Sequence, residues 1–155
     1  MNWNFARGQS KRTRMRRMRS DRFSRQLMQE NQLAANDFIY PMFVIEGSNE
    51  RQPITPMPGI ERLSIDLLCE EVKHLHSIGI QAIALFPVID AHLKSLKAEE
   101  AWNKDGLIQR AIKAIKYSVP EIGIMTDVAL DPFTTHVQDG ILDESNFVRN
   151  DVTVA

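Results

Sequence analysis

Three short apolar runs, 37–46, 80–89 and 122–130, lie about 40 residues apart with helical periodicity between them, and this pattern constrains the chain more than any other feature. Each run is nearly unbroken in hydrophobicity and rich in β-branched and aromatic residues, the signature of a strand covered on both faces. The first, Asp37-Phe38-Ile39-Tyr40-Pro41-Met42-Phe43-Val44-Ile45-Glu46, is closed by Gly47-Ser48-Asn49. Pro41 cannot donate a ladder hydrogen bond, so its place is predicted at an edge or early in the strand. The segment from Gln52 to Gly59 holds Pro53, Pro56 and Pro58 and is expected to be an ordered surface loop.

Between the runs, Ile65, Leu68, Val72 and Leu75 recur at helical spacing behind Ser64, a predicted N-cap. Asp66 suits the positive end of that helix, and Gly79 suits its C-terminal cap. Asn103-Lys104-Asp105-Gly106 predicts a turn into a second helix whose apolar face carries Ile108, Ala111, Ile112 and Ile115, with Pro120 past its end. Asn150-Asp151 reads as a further helix start, which suggests a chain cut short at Ala155. A strand that reappears after a helix implies parallel pairing. The class is therefore α/β, either a doubly wound sheet or part of a (β/α)8 barrel. A whole barrel needs eight units and about 250 residues, so three units would make an incomplete one.

Charge divides the chain. Arg7, Lys11, Arg12, Arg14, Arg16, Arg17, Arg19, Arg22 and Arg25 face only Asp21 before Gln26, although the net charge of the whole is −1. Such an arm could bind nucleic acid or pack on a partner subunit. Only Trp3, Phe5 and Phe23 are available for base stacking and no RNA-binding module follows, so the packing arm is favoured and no nucleic-acid partner is expected. Cys69 is the one cysteine, which rules out an internal disulfide or a thiolate zinc cage and fits a reducing cytoplasm. No run approaches the roughly 20 apolar residues of a membrane span, and no secretory signal is read at the N-terminus.

In parallel sheets, chemistry gathers at the carboxyl ends of the strands. There Asp127, Asp131 and Asp139 lie with Thr134, Thr135 and His136 in one strand end and its loop. Clustered carboxylates can raise one another's pKa, bind a hard cation, or hold a substrate ammonium, and Asp, Thr and Gly also build plain turns. His136 reads as a hydrogen-bonded structural residue, His74, His76 and His92 as solvated, and Cys69 as a small packing group. Lys94, Lys97, Lys104, Lys113 and Lys116 belong to charged, solvated faces, and none is expected to be a desolvated nucleophile.

Six motifs in order, Arg14-Met-Arg16-Arg17, Tyr40-Pro-Met-Phe-Val-Ile-Glu46, Met57-Pro-Gly59, Leu85-Phe-Pro-Val88, Gly106-Leu-Ile-Gln-Arg110-Ala and Thr126-Asp-Val-Ala-Leu-Asp-Pro-Phe-Thr-Thr-His136, resemble porphobilinogen synthase (5-aminolevulinate dehydratase) over residues 14 to 151. The resemblance implies a TIM barrel preceded by an arm that wraps a neighbouring subunit, commonly in octamers, and condensation of two 5-aminolevulinate molecules into porphobilinogen. On that basis residues 1–36 are the basic extended arm and 37–155 an incomplete, truncated TIM-barrel domain with about three βα units. Zinc-dependent members carry cysteines where Ala129, Asp131 and Asp139 stand, so the resemblance implies the aspartate-rich branch that uses magnesium, with most magnesium ligands outside this chain. It gives Asp127, Asp131 and Asp139 supporting roles in charge stabilisation and proton management near the substrate amine. It places the two Schiff-base lysines beyond Ala155, so the fragment is expected to be inactive alone, and a non-catalytic fragment that docks on intact subunits through its arm is the alternative. Val137 stands where the family usually has Gly, and Val152 where an acidic residue is usual. If that Gly has a positive φ, a β-branched replacement costs on the order of 1–3 kcal/mol.

Overall fold

In a computed structural model, residues 16–154 are described; Arg7, Lys11, Arg12, Arg14, Trp3 and Phe5 lie outside them. The chain divides into two compact units, 1–33 and 34–155. Within the first, the arm is not extended throughout, because α1 (Arg17–Ser20) and α2 (Arg22–Leu27) are helical. Asp21, with extended backbone, separates them. The Arg25 guanidinium donates to the carbonyls of Arg19 and Ser20, so a cation covers carbonyls that the end of α1 leaves free.

The second unit is a five-stranded sheet in the order β2-β3-β1-β4-β5. Its strands are β1 (Ile39–Ile45), β2 (Arg51–Pro53), β3 (Glu61–Ser64), β4 (Ala82–Pro87) and β5 (Gly123–Thr126). Strand β1 runs parallel to β3 and β4, β4 runs parallel to β5, and β2 is an antiparallel edge. Three of the five strands are the predicted ones. The proline-rich loop is shorter than expected, since Arg51–Pro53 forms β2, where an edge position leaves the missing N–H of Pro53 tolerable. Pro41 sits in a central strand but at an edge-like place. Strand β3 pairs only with Phe43–Ile45, so β4 is the one strand beside Pro41.

Helix α3 (Ile65–Ser77) buries Leu68, Val72 and Leu75, and α4 (Leu107–Ser118) buries Leu107, Ile108, Ala111 and Ile115. These pack with Met42, Val44, Leu63, Ile83 and Leu85 into the core cluster. Ser64 does occupy the N-cap, but its hydroxyl makes no capping bond and instead donates to the Asp66 carboxylate. After α3, the Gly79 N–H donates to the His76 carbonyl at 3.1 Å and the Ile80 N–H to the Leu75 carbonyl at 3.1 Å. With Gly79 at φ 102°, this is a Schellman closure, and Gly is the residue that adopts such a φ without strain. A short α5 (Asn150–Thr153) follows, with Arg149 rather than Asn150 at the N-cap position and no side-chain capping bond.

Candidate active site

The predicted third strand ends early. Strand β5 stops at Thr126, opposite Leu85, because the next residue of β4 but one is Pro87, which has no N–H to give a neighbour. Residues 127–130 therefore leave the sheet, and Asp131–Phe133 forms a single 3₁₀ turn with Pro132 at its start. The Thr134 N–H closes that turn on the Leu130 carbonyl at 3.1 Å. Thr134 is 1% exposed, and its hydroxyl donates to the Gln138 carbonyl at 3.0 Å. The loop is also stitched to the segment after β4. The Ser95 N–H donates to the Phe133 carbonyl and the Thr135 N–H to the Ser95 carbonyl, both at 3.1 Å.

Asp127 and Asp131 line two adjoining cavities that share Phe86, Pro87 and Pro132, and Asp139 lines neither. Asp127 is exposed and lines a cavity of about 290 Å³ with Leu85, Ile108, Ile112, Thr126 and Phe133. Asp131 lines another, of about 350 Å³, with Phe43, Arg62, Phe86 and Lys94. Asp139 lines neither of these; its carboxylate accepts the Leu130 N–H and so fastens the two ends of the loop together. Among the described residues, no group of three or more His, Cys, Asp or Glu side chains is placed to hold a metal ion.

His136 keeps half of its expected role. Nδ1 accepts the Gln138 N–H at 3.2 Å, while Nε2 is buried without a partner among the described residues. His74 and His92 are exposed as expected; His76 is partly covered, its Nε2 4.0 Å from the Glu121 carboxylate. Burial pushes the Cys69 thiol up from its ordinary pKa, and the side chain packs against the core. Val137 has φ 57°, in the left-handed region that a β-branched side chain avoids.

Two cavity residues were not singled out by sequence. Lys94, expected on a solvated face, is partly buried and lines the same cavity as Asp131. Arg62 lies on β3, a strand the proline-rich stretch before it concealed. The alternation Glu61-Arg62-Leu63-Ser64 was its only signal, over four residues.

Comparison with known proteins places this geometry. The delta-aminolevulinic acid dehydratase family matches residues 12–155. The chain belongs to that family. It is 44% identical over 142 residues to the delta-aminolevulinic acid dehydratase of Bradyrhizobium diazoefficiens, covering 92% of this chain and 40% of the relative. The chloroplastic enzyme of Chlamydomonas reinhardtii is 41% identical over 140 residues, which are 90% of this chain and 36% of the relative. The crystal structure of delta-aminolevulinic acid dehydratase (porphobilinogen synthase) from Toxoplasma gondii, in complex with the reaction product porphobilinogen, superposes with a TM-score of 0.85 at 46% identity, over 92% of this chain and 40% of that one. The chain thus spans about 40% of the length of these relatives. Its sheet and helices correspond to part of the family's TIM barrel, which decides between the two α/β architectures that the spacing allowed.

Proposed function

We propose that this chain supplies the first βα units of a porphobilinogen synthase, a hydro-lyase that condenses two molecules of 5-aminolevulinate into porphobilinogen for tetrapyrrole and heme biosynthesis. The observation that carries this is the likeness, at 46% identity, to a solved structure described with porphobilinogen bound. The reaction joins two amino ketones, so positive charge and amine protons must be managed where they meet. Asp127 and Asp131 are the carboxylates to do so, each lining a cavity beside the strand ends. Asp139 works through its bond to the Leu130 N–H, holding the loop that carries the other two.

Covalent activation needs an amine nucleophile, and the resemblance assigns the imine-forming lysines to the part of the family's chain that follows Ala155. The 155-residue chain is therefore inactive by itself in this proposal. Magnesium belongs to the same proposal only at the level of the assembled enzyme. The described residues do not present a convergent set of three acidic, imidazole or thiolate ligands. The octamer held by basic arms and a cytoplasmic location complete the proposal. Among the described residues no helix is long and apolar enough to cross a membrane.

The test is to join this chain, in frame, to the remaining portion of the Bradyrhizobium relative and to assay porphobilinogen from 5-aminolevulinate. The chimera is expected to turn over and the 155-residue chain alone to give none. An inactive chimera that folds, or turnover by the chain alone, would each overturn part of the proposal. A second reading is docking of the chain on intact subunits without catalysis; that alternative is expected to act through the arm, and the unpaired edge of β5 among the described residues, where Met125 is 54% exposed and Val128, just beyond the strand, 94%, offers a second surface for it. Co-purification of the chain with the full-length relative checks it.

A further inference from the structure

The loop that carries Asp131 and Asp139 is closed by side chains rather than by a strand ladder. Both backbone polar groups of Gln138 are taken this way: its N–H donates to His136 Nδ1 at 3.2 Å, and its carbonyl accepts the Thr134 hydroxyl at 3.0 Å. A hydroxyl has one proton to give. The other acceptor in reach, the Asp131 carbonyl, is at 3.4 Å, so the proton goes to Gln138. Thr134 is 1% exposed, so water cannot take over the bond if the hydroxyl is removed.

These bonds form a ring. The Thr134 N–H donates to the Leu130 carbonyl at 3.1 Å, and the Leu130 N–H donates to the Asp139 carboxylate. Asp139 is joined through one planar peptide to the Gln138 carbonyl that the Thr134 hydroxyl holds. One residue thus closes the turn of Asp131–Phe133 with its backbone and fixes, with its side chain, the peptide plane from which Asp139 starts. Within the ring lies Val137 at φ 57°. Such a conformation persists only where the surroundings over-determine it, and the Thr134 hydroxyl and His136 Nδ1 are the side-chain groups that hold Gln138, the residue after Val137.

We propose that Thr134 is the positioning residue of this loop. Its buried hydroxyl sets where the Asp131 carboxylate stands and keeps Asp139 on the Leu130 N–H, without touching the reacting molecules. The inference rests on the function proposed above and adds the residue through which its carboxylates are placed.

The experiment compares Thr134→Val, which keeps the shape and removes the hydroxyl, with Thr134→Ser, which keeps the hydroxyl. In the 155-residue chain the readout is the Leu130 amide-proton resonance by NMR, with Asp139→Asn as the reference for a lost carboxylate bond. Thr134→Val is expected to move that resonance toward its Asp139→Asn position and Thr134→Ser to leave it in place. The amides of Ala111 and Ile115, buried in α4, should stay put in both. In the chimera with the Bradyrhizobium remainder, Thr134→Val should lower kcat about tenfold with KM within about twofold, and Thr134→Ser should keep kcat within about threefold. Should Thr134→Val not fold, Thr134→Ala removes the same hydroxyl and is read in its place. A Leu130 resonance unmoved by loss of the hydroxyl, or kcat lost equally in Thr134→Ser and Thr134→Val, would overturn the proposal. An inactive parent chimera would sink the proposed function instead, and the Leu130 resonance then decides for Thr134.

Discussion

Replacing Val137 by Gly should make the second unit more stable, an unusual direction for a valine-to-glycine change. At φ 57° the valine backbone is in the left-handed region, where a β-branched residue carries about 2 kcal/mol of strain, within the 1–3 range for such sites. Glycine removes it but adds about 0.5–1 kcal/mol of chain freedom to the unfolded state. The side chain is 65% exposed, so its deletion forfeits only about 0.5 kcal/mol of burial. The balance is a gain of about 0.5–1 kcal/mol. Val128 is the internal control, because it is 94% exposed and has no positive φ. Val128→Gly should therefore lose about 0.5–1 kcal/mol. The separation between the two variants, about 1–2 kcal/mol, isolates the backbone contribution. Urea unfolding at equal m-values reads it directly. If Val137→Gly falls as far as Val128→Gly, the left-handed strain is not there and the reasoning fails.

Two further outcomes follow from local geometry. The Ser64 hydroxyl and, second to it, the Asn49 N–H hold the Asp66 carboxyl below its ordinary value of 3.8. Its contribution is thus complete above that value and lost as pH falls through the lower folded one. Asp66→Asn should lower stability at neutral pH and flatten the acid limb below about pH 4 in a pH-dependent melt; an unchanged limb would refute the link. A Cβ at the buried Gly140 would stand 2.5 Å from Val148 Cγ1 and 3.0 Å from Thr153 Oγ1, the hydroxyl that accepts the Ile141 N–H. Gly140→Ala is expected to cost about 1–3 kcal/mol, and Val148→Ala in the same chain should recover part of it; a neutral Gly140→Ala in thermal unfolding would contradict this.

The elements that sequence revealed are those whose burial is periodic over many residues. Leu68, Val72 and Leu75 in α3, and Ile108, Ala111 and Ile115 in α4, are both the predicted stripe and the observed core. The strands around Val44 and Leu85 were visible because helices cover one face and apolar rings the other. Strand β3 was not, since four residues offer too little alternation and Arg62 breaks the apolar run. The loop after β5 was overextended as a strand because Val128-Ala129-Leu130 continues the apolar pattern, whereas what ends a strand is the neighbour's pairing capacity, here Pro87. Asp127 and Asp131 are four residues apart in sequence and line adjoining cavities, whereas Arg62, Lys94 and Asp131 come from three distant segments to line one of them.

The stitch between Ser95 and Thr134 gives the carboxylate loop a history. Its partners are 39 residues apart, with all of α4 and β5 between them, so loop closure must be accomplished before the two backbone bonds can form. Helix α4 can form locally, β5 can then find β4, and only afterwards do the two excursions meet. The loop therefore takes shape late in folding and inherits its conformation from the finished sheet. A substitution that loosens β5 on β4 will scatter Asp131 and Asp139 without touching either.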